Sequence, residues 1–194
     1  MLDQKLQSSF FNLKSSIRNP QSAIRNPQSE IRNPQSQIPE KMHHRFITDQ
    51  SEIDEIINKC DVCYVSMVDE NNLPYVLPFN FGYSNGEVYL HSSQKGLKID
   101  ILKKNPSVCI AFSTDHQLRY QSEQMACSYS MKYRSVLAFG KVEFITDLDQ
   151  KVDFFNTVML HYTKREFTYG IPALREVCTY KVKVERFTAK IYGY

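Results

Sequence analysis

The tripeptide Ser84-Asn85-Gly86 constrains this chain more than any other feature, because it joins two alternating runs by a very short connection. Asn and Gly accept the positive φ that a tight hairpin turn demands, and few other residues do. Upstream, Tyr75 to Tyr83 holds apolar residues on a roughly two-residue period. Downstream, Glu87 to Ser92 resumes the period, with Val88 and Leu90 on one face and Tyr89 and His91 on the other. Ser92, Ser93, Lys95 and Gly96 then lead into a helix, predicted over Gly96–Lys104 and stopped by Asn105-Pro106. Free N–H groups at a helix start, small hydroxyls and nearby lysines together suit a phosphate.

The rest of the chain frames that segment. Thr48 or Asp49 can cap a helix in which Ile53, Ile56, Ile57 and Cys60 recur at i, i+3, i+4 and i+7. Cys63 to Val68 reads as a strand and Asp69 to Asn72 as its turn. Ser107 to Ser113 is a further strand, followed by a long polar loop from Thr114 to Lys132. Tyr133 to Ile145 is a long strand with Gly140 as a candidate bulge. Leu148 to His161 is a second amphipathic helix, burying Val152, Phe155, Val158 and Met159. Arg165 to Glu176 is expected to be a loop, and Cys178 to Phe187 the last strand, with a continuation toward Tyr192 left open. Six strands with hairpin links and three helices predict a mainly β domain with flanking helices over residues 43–194. The expected form is a six-stranded antiparallel sheet closed into a barrel.

Residues 1–42 differ in kind. They contain SIRNPQ-SAIRNPQ-SEIRNPQ-SQ, a seven-residue repeat with Pro20, Pro27 and Pro34 in successive copies. Proline in a helix interior removes a hydrogen bond and clashes with the preceding turn, so the heptad is not a coiled coil. One isoleucine per repeat is too little apolar surface to offset ordering entropy, and the segment is expected to be a disordered tail without chemistry.

A formal net charge of +3 gives no strong field to recruit nucleic acid. No apolar run of about 18 residues is present, so no membrane span is expected. The opening MLDQKLQSSFFNLKSS carries an early acid and no sustained apolar stretch, against a secretory leader. Five cysteines in such a chain are expected to be reduced thiols in a cytoplasmic protein.

Cys60-x-x-Cys63 has redox or zinc spacing, but no second pair lies nearby, and buried small apolar residues are the better reading; no metal is expected. His91 can be a ligand, a base or a polar residue on a strand's outer face, and Lys95 and Lys98 an anion clamp or a solvated helix face. Tyr133-Arg134-Ser135 sets a ring, a fork of donors and a hydroxyl in succession at the head of the long strand, and spacing alone leaves ordinary edge residues equally open. Asp115 and Glu123 have no visible partner and receive no role. No Walker, GxGxxG, GxSxG or HExxH pattern occurs, so catalytic residues are not identified.

Four segments carry a resemblance: TDQSEIDEII, VSMVDENNLPYVLPFNFGYSNGEVYLHSSQKGLKIDIL, NPSVCIAF and CSYSMKYRSVLAFGKVEFI. In order and spacing, from Phe46 to Tyr192, they resemble the FMN-binding split-barrel superfamily that includes pyridoxamine 5′-phosphate oxidase, nearest to its nitroimidazole-resistance (Nim-like) branch. The resemblance implies an FMN at a homodimer interface, with the split barrel as one wall. Pro78, Phe79 and Asn80 would lie along the flavin ring; His91, Ser92 and Ser93 near the ring and ribityl-phosphate; Lys98 would neutralise the phosphate; Tyr133, Arg134 and Ser135 would complete the pocket. Leu97 stands where relatives are frequently basic. The substrate-binding signature of true pyridoxamine phosphate oxidases is not recognised, so the implied function is an oxidoreductase reducing small molecules such as nitroaromatics or quinones. A non-enzymatic flavin- or haem-binding carrier or sensor is the alternative.

Overall fold

Alternation in the sequence becomes one eight-stranded, wholly antiparallel sheet. The computed structural model describes residues 44–194, and the expectation for the 1–42 tail lies outside the described residues. In chain order come β1 (His44–Ile47), α1 (Gln50–Asn58), β2 (Cys63–Val68), β3 (Pro74–Phe79), β4 (Phe81–Ser84), β5 (Glu87–Ser93) and α2 (Leu97–Lys104). They are followed by β6 (Ser107–Arg119), β7 (Ser130–Ile145), α3 (Leu148–Thr163), α4 (Ile171–Glu176) and β8 (Val177–Tyr192). The strand order is β3-β2-β6-β7-β8-β5-β4, with β1 also on β8. No helix among the described residues is long and apolar enough to cross a membrane.

Eight strands replace the six expected, for two reasons. The run from Tyr75 to Tyr83 breaks at Asn80, because its halves serve different neighbours: β3 pairs with β2, and β4 pairs with β5 across the Asn85-Gly86 turn. The four residues of β1 also find a place on the far half of β8, opposite Ala189 to Tyr192. Two expected loops shorten as well. β6 and β7 extend past the barrel as a hairpin to Arg119 and Ser130, and a one-and-a-half-turn helix, α4, forms behind Gly170 with a proline in its first turn.

The inward faces fill the barrel. Cys63, Val65 and Met67 of β2, Ile110 and Phe112 of β6, Val136 and Ala138 of β7, and Tyr180 and Val182 of β8 are all buried. Phe81 meets Phe112 edge to face with ring centres 5.1 Å apart. Asp49 caps α1 by accepting from the Glu52 N–H at 2.9 Å, and Ile53, Ile56 and Ile57 carry the helix into this core. Asp147 caps α3 in the same way through the Gln150 N–H. The buried stripe of α3 is Lys151, Phe154 and Val158: Val158 is buried as expected, while Lys151 and Phe154 take the places expected of Val152 and Phe155, and Met159 is half-buried. Gly82 sets that phase. A Cβ there would stand 2.8 Å from the Val158 nitrogen, so the helix backbone lies directly on β4.

The longest ladder needs relief to coil. Between Phe139 and Gly140 the β7–β8 register shifts by a residue, so that Phe139 faces Arg186 while Gly140 faces Val184. A Cβ at Gly140 would collide with the Lys183 carbonyl. Gly140→Ala is therefore expected to lower unfolding free energy by roughly 1–3 kcal/mol, the usual cost of overpacking. Gly170→Ala, whose new Cβ meets nothing nearer than 3.8 Å, serves as the control and should be near neutral. Urea midpoints decide this; equal midpoints for the two variants would refute a backbone clash at the bulge.

Candidate functional site

Gly96 turns the chain into α2 at φ 125°, a conformation that side chains oppose. The helix begins without a side-chain cap, its first carbonyl accepting from Ile99 and Asp100 at 2.9 and 3.2 Å. The Leu97 and Lys98 N–H groups consequently point out of the helix start, as the first donors of any helix do. The Lys98 ammonium lies 5.6 Å from the centre of the Phe79 ring, and among the described residues it makes no ion pair. Phe79 in turn meets Tyr180 edge to face at 6.4 Å. The Tyr180 hydroxyl is buried with no hydrogen-bond partner among the described residues, and burial pushes its pKa up.

Strand pairing explains which hydroxyl joins this group. Leu90 pairs with Tyr180, and Ser92 pairs with Cys178, so Ser92 shares the barrel-side face with Tyr180. Ser92 and Ser93 currently donate to the Ser93 and Lys95 carbonyls at 2.9 and 3.0 Å, bonds that a hydroxyl rotation would release. Phe79, Ser92 and Lys98 are thus brought together around Tyr180 at the start of α2, while Ser93, one residue on, faces away from Tyr180 and is exposed.

His91 is not part of that group. Alternation sends its side chain to the opposite face, under α3, where the imidazole lies 5.7 Å from the Phe155 ring and 6.5 Å from Phe154. Its Nδ1 is buried and unsatisfied, and burial pushes its pKa below the ordinary value of 6.5. Pro78 and Asn80 stand exposed on the outside of the sheet, Pro78 opposite Tyr64.

Tyr133, Arg134 and Ser135 lie elsewhere again. Ser135 pairs with Lys190 on β8, whereas Ser92 pairs with Cys178 on the same strand. The twelve residues between those partners span roughly 40 Å of strand. The Ser92–Lys98 and Tyr133–Ser135 segments therefore stand toward opposite ends of β8. Arg134 is moreover already committed: its guanidinium pairs with Asp115 and lies 4.3 Å from the Tyr194 ring centre, while Tyr133 stacks on Tyr192 at 5.5 Å. Asp115 also receives Lys59 at 3.7 Å, and the hydrogen bond from Arg134 holds its carboxyl below the usual carboxylate range. Asp115 has a positive φ of 54° at the β6 register shift, a role that no pattern in the sequence announced.

The cysteine pair is inert. Cys60 donates to the Ile56 carbonyl at 3.3 Å and burial pushes its thiol up to about 11, with Cys63 raised further. No cluster of metal-ligating side chains occurs among the described residues.

An antiparallel barrel with an uncapped helix opening on a lysine that is unpaired among the described residues limits the families that fit, and the comparison with known proteins decides among them. The pyridoxamine 5′-phosphate oxidase pattern matches residues 49–191, nearly the whole described domain. The chain belongs to the pyridoxamine 5′-phosphate oxidase family. A crystal structure from Bacteroides thetaiotaomicron, described as a candidate 5-nitroimidazole antibiotic resistance protein, is 45% identical. It aligns over 78% of this chain and 89% of its own, with a TM-score of 0.70. The FAD- and heme-binding protein of Mycobacterium smegmatis shares the fold at 18% identity and a TM-score of 0.67, over 77% of this chain and 74% of that one. An FAD-binding protein of Mesorhizobium loti does so at 20% and 0.56, over 77% and 99%. No curated protein matches. The split barrel expected from the sequence is therefore the family fold, with eight strands.

The depressed pKa of His91 has a signed consequence. Below pH 6.5 the unfolded chain takes up a proton that the folded chain refuses, so this residue's contribution to stability is present above that pH and is lost as the pH falls. His91→Phe should flatten the urea midpoint between about pH 6.5 and 5 relative to the unaltered chain. A midpoint that falls equally in both proteins would show that another group carries the loss.

Proposed function

We propose that this member of the family is a homodimeric, cytoplasmic FMN protein that reduces small acceptors such as nitroaromatics or quinones. The observation that carries the proposal is the α2 start: free N–H groups and an ammonium without a counter-charge, beside an unsatisfied tyrosine hydroxyl. Those donors fit a phosphate at the helix end and a polar flavin group near Tyr180. Lys98 and the first N–H groups of α2 would hold the phosphate, and Phe79 would wall the ribityl chain. Bound FMN supplies reversible uptake of electrons and their delivery to the acceptor; the protein's share is binding, orientation and exclusion of water. The 45% identity to a candidate 5-nitroimidazole resistance protein supports a nitro compound as acceptor.

The outer face of the sheet supports the dimer. Pro78, Tyr64, Ala111 and Leu137 form one cross-strand row from β3 to β7. Tyr64 is 52% and Leu137 38% exposed, and Val76 in the neighbouring row is 57% exposed, so this apolar patch is left open within the described residues. Pairing two such faces would bring the Tyr133-Arg134-Ser135 end of one copy toward the Lys98 end of the other. The alternative of a haem carrier is disfavoured by the position of His91, whose ring is taken up against Phe154 and Phe155.

Two substitutions separate the parts of this proposal. Lys98→Ala should leave a folded dimer that retains at least tenfold less FMN, read by the absorbance of the as-purified protein and mass spectrometry of the released ligand. Val76→Asp should give a monomer by sedimentation and lose the flavin with it. A yellow Lys98→Ala protein with full FMN content would overturn the phosphate site; a flavin-loaded protein that passes no electrons from a chemical reductant to any nitroaromatic or quinone would overturn the reductase.

A further inference from the structure

One buried charge has no part in the flavin site. Lys151, in the first turn of α3, is 7% exposed. Its ammonium donates to the Leu174 carbonyl at 2.7 Å and the Val177 carbonyl at 2.8 Å. Two acceptors satisfy two of three N–H donors, and no carboxylate among the described residues lies within ion-pair distance. A buried ammonium held only by carbonyls lacks the counter-charge that buried ions usually have.

Lys151 lines a cavity of about 390 Å³ between α2, the end of β7 and the start of β8. That volume falls in the range of small-molecule sites. Lys103 and Arg175 also face it, no carboxylate does, and Ile99, Phe144 and Val177 supply apolar walls. The field of Lys151 and Lys103 reaches the wall residue Cys178: burial raises its thiol pKa, and these two lysines, with Lys98, pull it back.

We infer that this cavity is a binding site for a small organic monoanion, a carboxylate on an aromatic body, seated with its carboxylate on Lys151 and its ring against Phe144. A carboxylate matches the one remaining Lys151 donor and the fork of Arg175, and a single charge loses less hydration on entering apolar walls than a phosphate dianion. Lys98 does not line the cavity, which adjoins the flavin site proposed above through Ile99 and through Cys178, the strand partner of Ser92, and the inference does not rest on that reading.

Equilibrium dialysis of the full chain as purified tests this with benzoate, its neutral isostere benzamide and inorganic phosphate. Benzoate is expected to bind at least tenfold more tightly than either of the others. Lys103→Ala and Arg175→Ala, both at exposed positions, should each weaken benzoate severalfold without moving the urea midpoint or the flavin content. Lys151→Met should abolish benzoate binding; because that variant alters a buried residue, the two exposed variants decide the matter if it fails to fold. No benzoate binding, equal binding of benzamide or phosphate, indifference to both exposed variants, or displacement of benzoate by added FMN would each overturn the inference. A chain that binds benzoate but carries no flavin would leave this site standing while the flavin reading failed.

Discussion

The pairing of β8 along both of its edges is the constraint on which the rest of this structure depends. One edge takes β7 from Tyr133 to Ile145; the other takes β5 over Val177 to Lys183 and β1 over Ala189 to Tyr192. The shift at Gly140 and a second one between Thr114 and Gln117 of β6 give the backbone room to coil along these long ladders. A slip of one residue would turn Tyr180 and Val182 outward and bring lysines into the core, so the burial pattern enforces the register.

That register also decides which cations are free. Lys98 and Arg134 look alike in the sequence, each a base beside hydroxyls. The fold places Lys98 on a helix start, over a phenylalanine ring and in no ion pair among the described residues, and places Arg134 against Asp115 and Tyr194. A bidentate-capable guanidinium already paired is poorly placed to serve an anion in its own chain, whereas an unpaired ammonium beside free N–H groups is well placed to do so. The same alternation divides His91 from Ser92. The imidazole goes under α3, where burial lowers its pKa, and the hydroxyl faces the barrel side with Tyr180.

The open row of Pro78, Tyr64, Ala111 and Leu137 runs across the sheet from its β3 edge to β7. It crosses four strands, roughly 14 Å, and carries apolar side chains outward where an isolated domain would prefer polar ones. α3 covers the outer side of β4 and β5 through Gly82, Tyr89 and His91, so one part of the barrel's outer face is closed by the chain's own helix and another part stays open.

Much of this was legible beforehand, because it is local. The Asn85-Gly86 hairpin, the Asp49 cap, the α2 span, the bulge at Gly140 and the family itself follow from turn chemistry, period and motif order, which are properties of neighbouring residues. The breaks were less legible: nothing near Asn80 says that β3 and β4 turn to different partners, and nothing near His44 says that a strand waits for it on β8. The site divided in the same way. The sequence alone determined that a hairpin would deliver Ser92, Ser93 and Lys98 to a helix start. Only the tertiary structure decided that Tyr180 joins them, that His91 turns away, that Arg134 is neutralised by Asp115, and that Lys151 is buried, because each depends on which strand or helix lies across from it, and pairing between distant segments leaves no period in the chain.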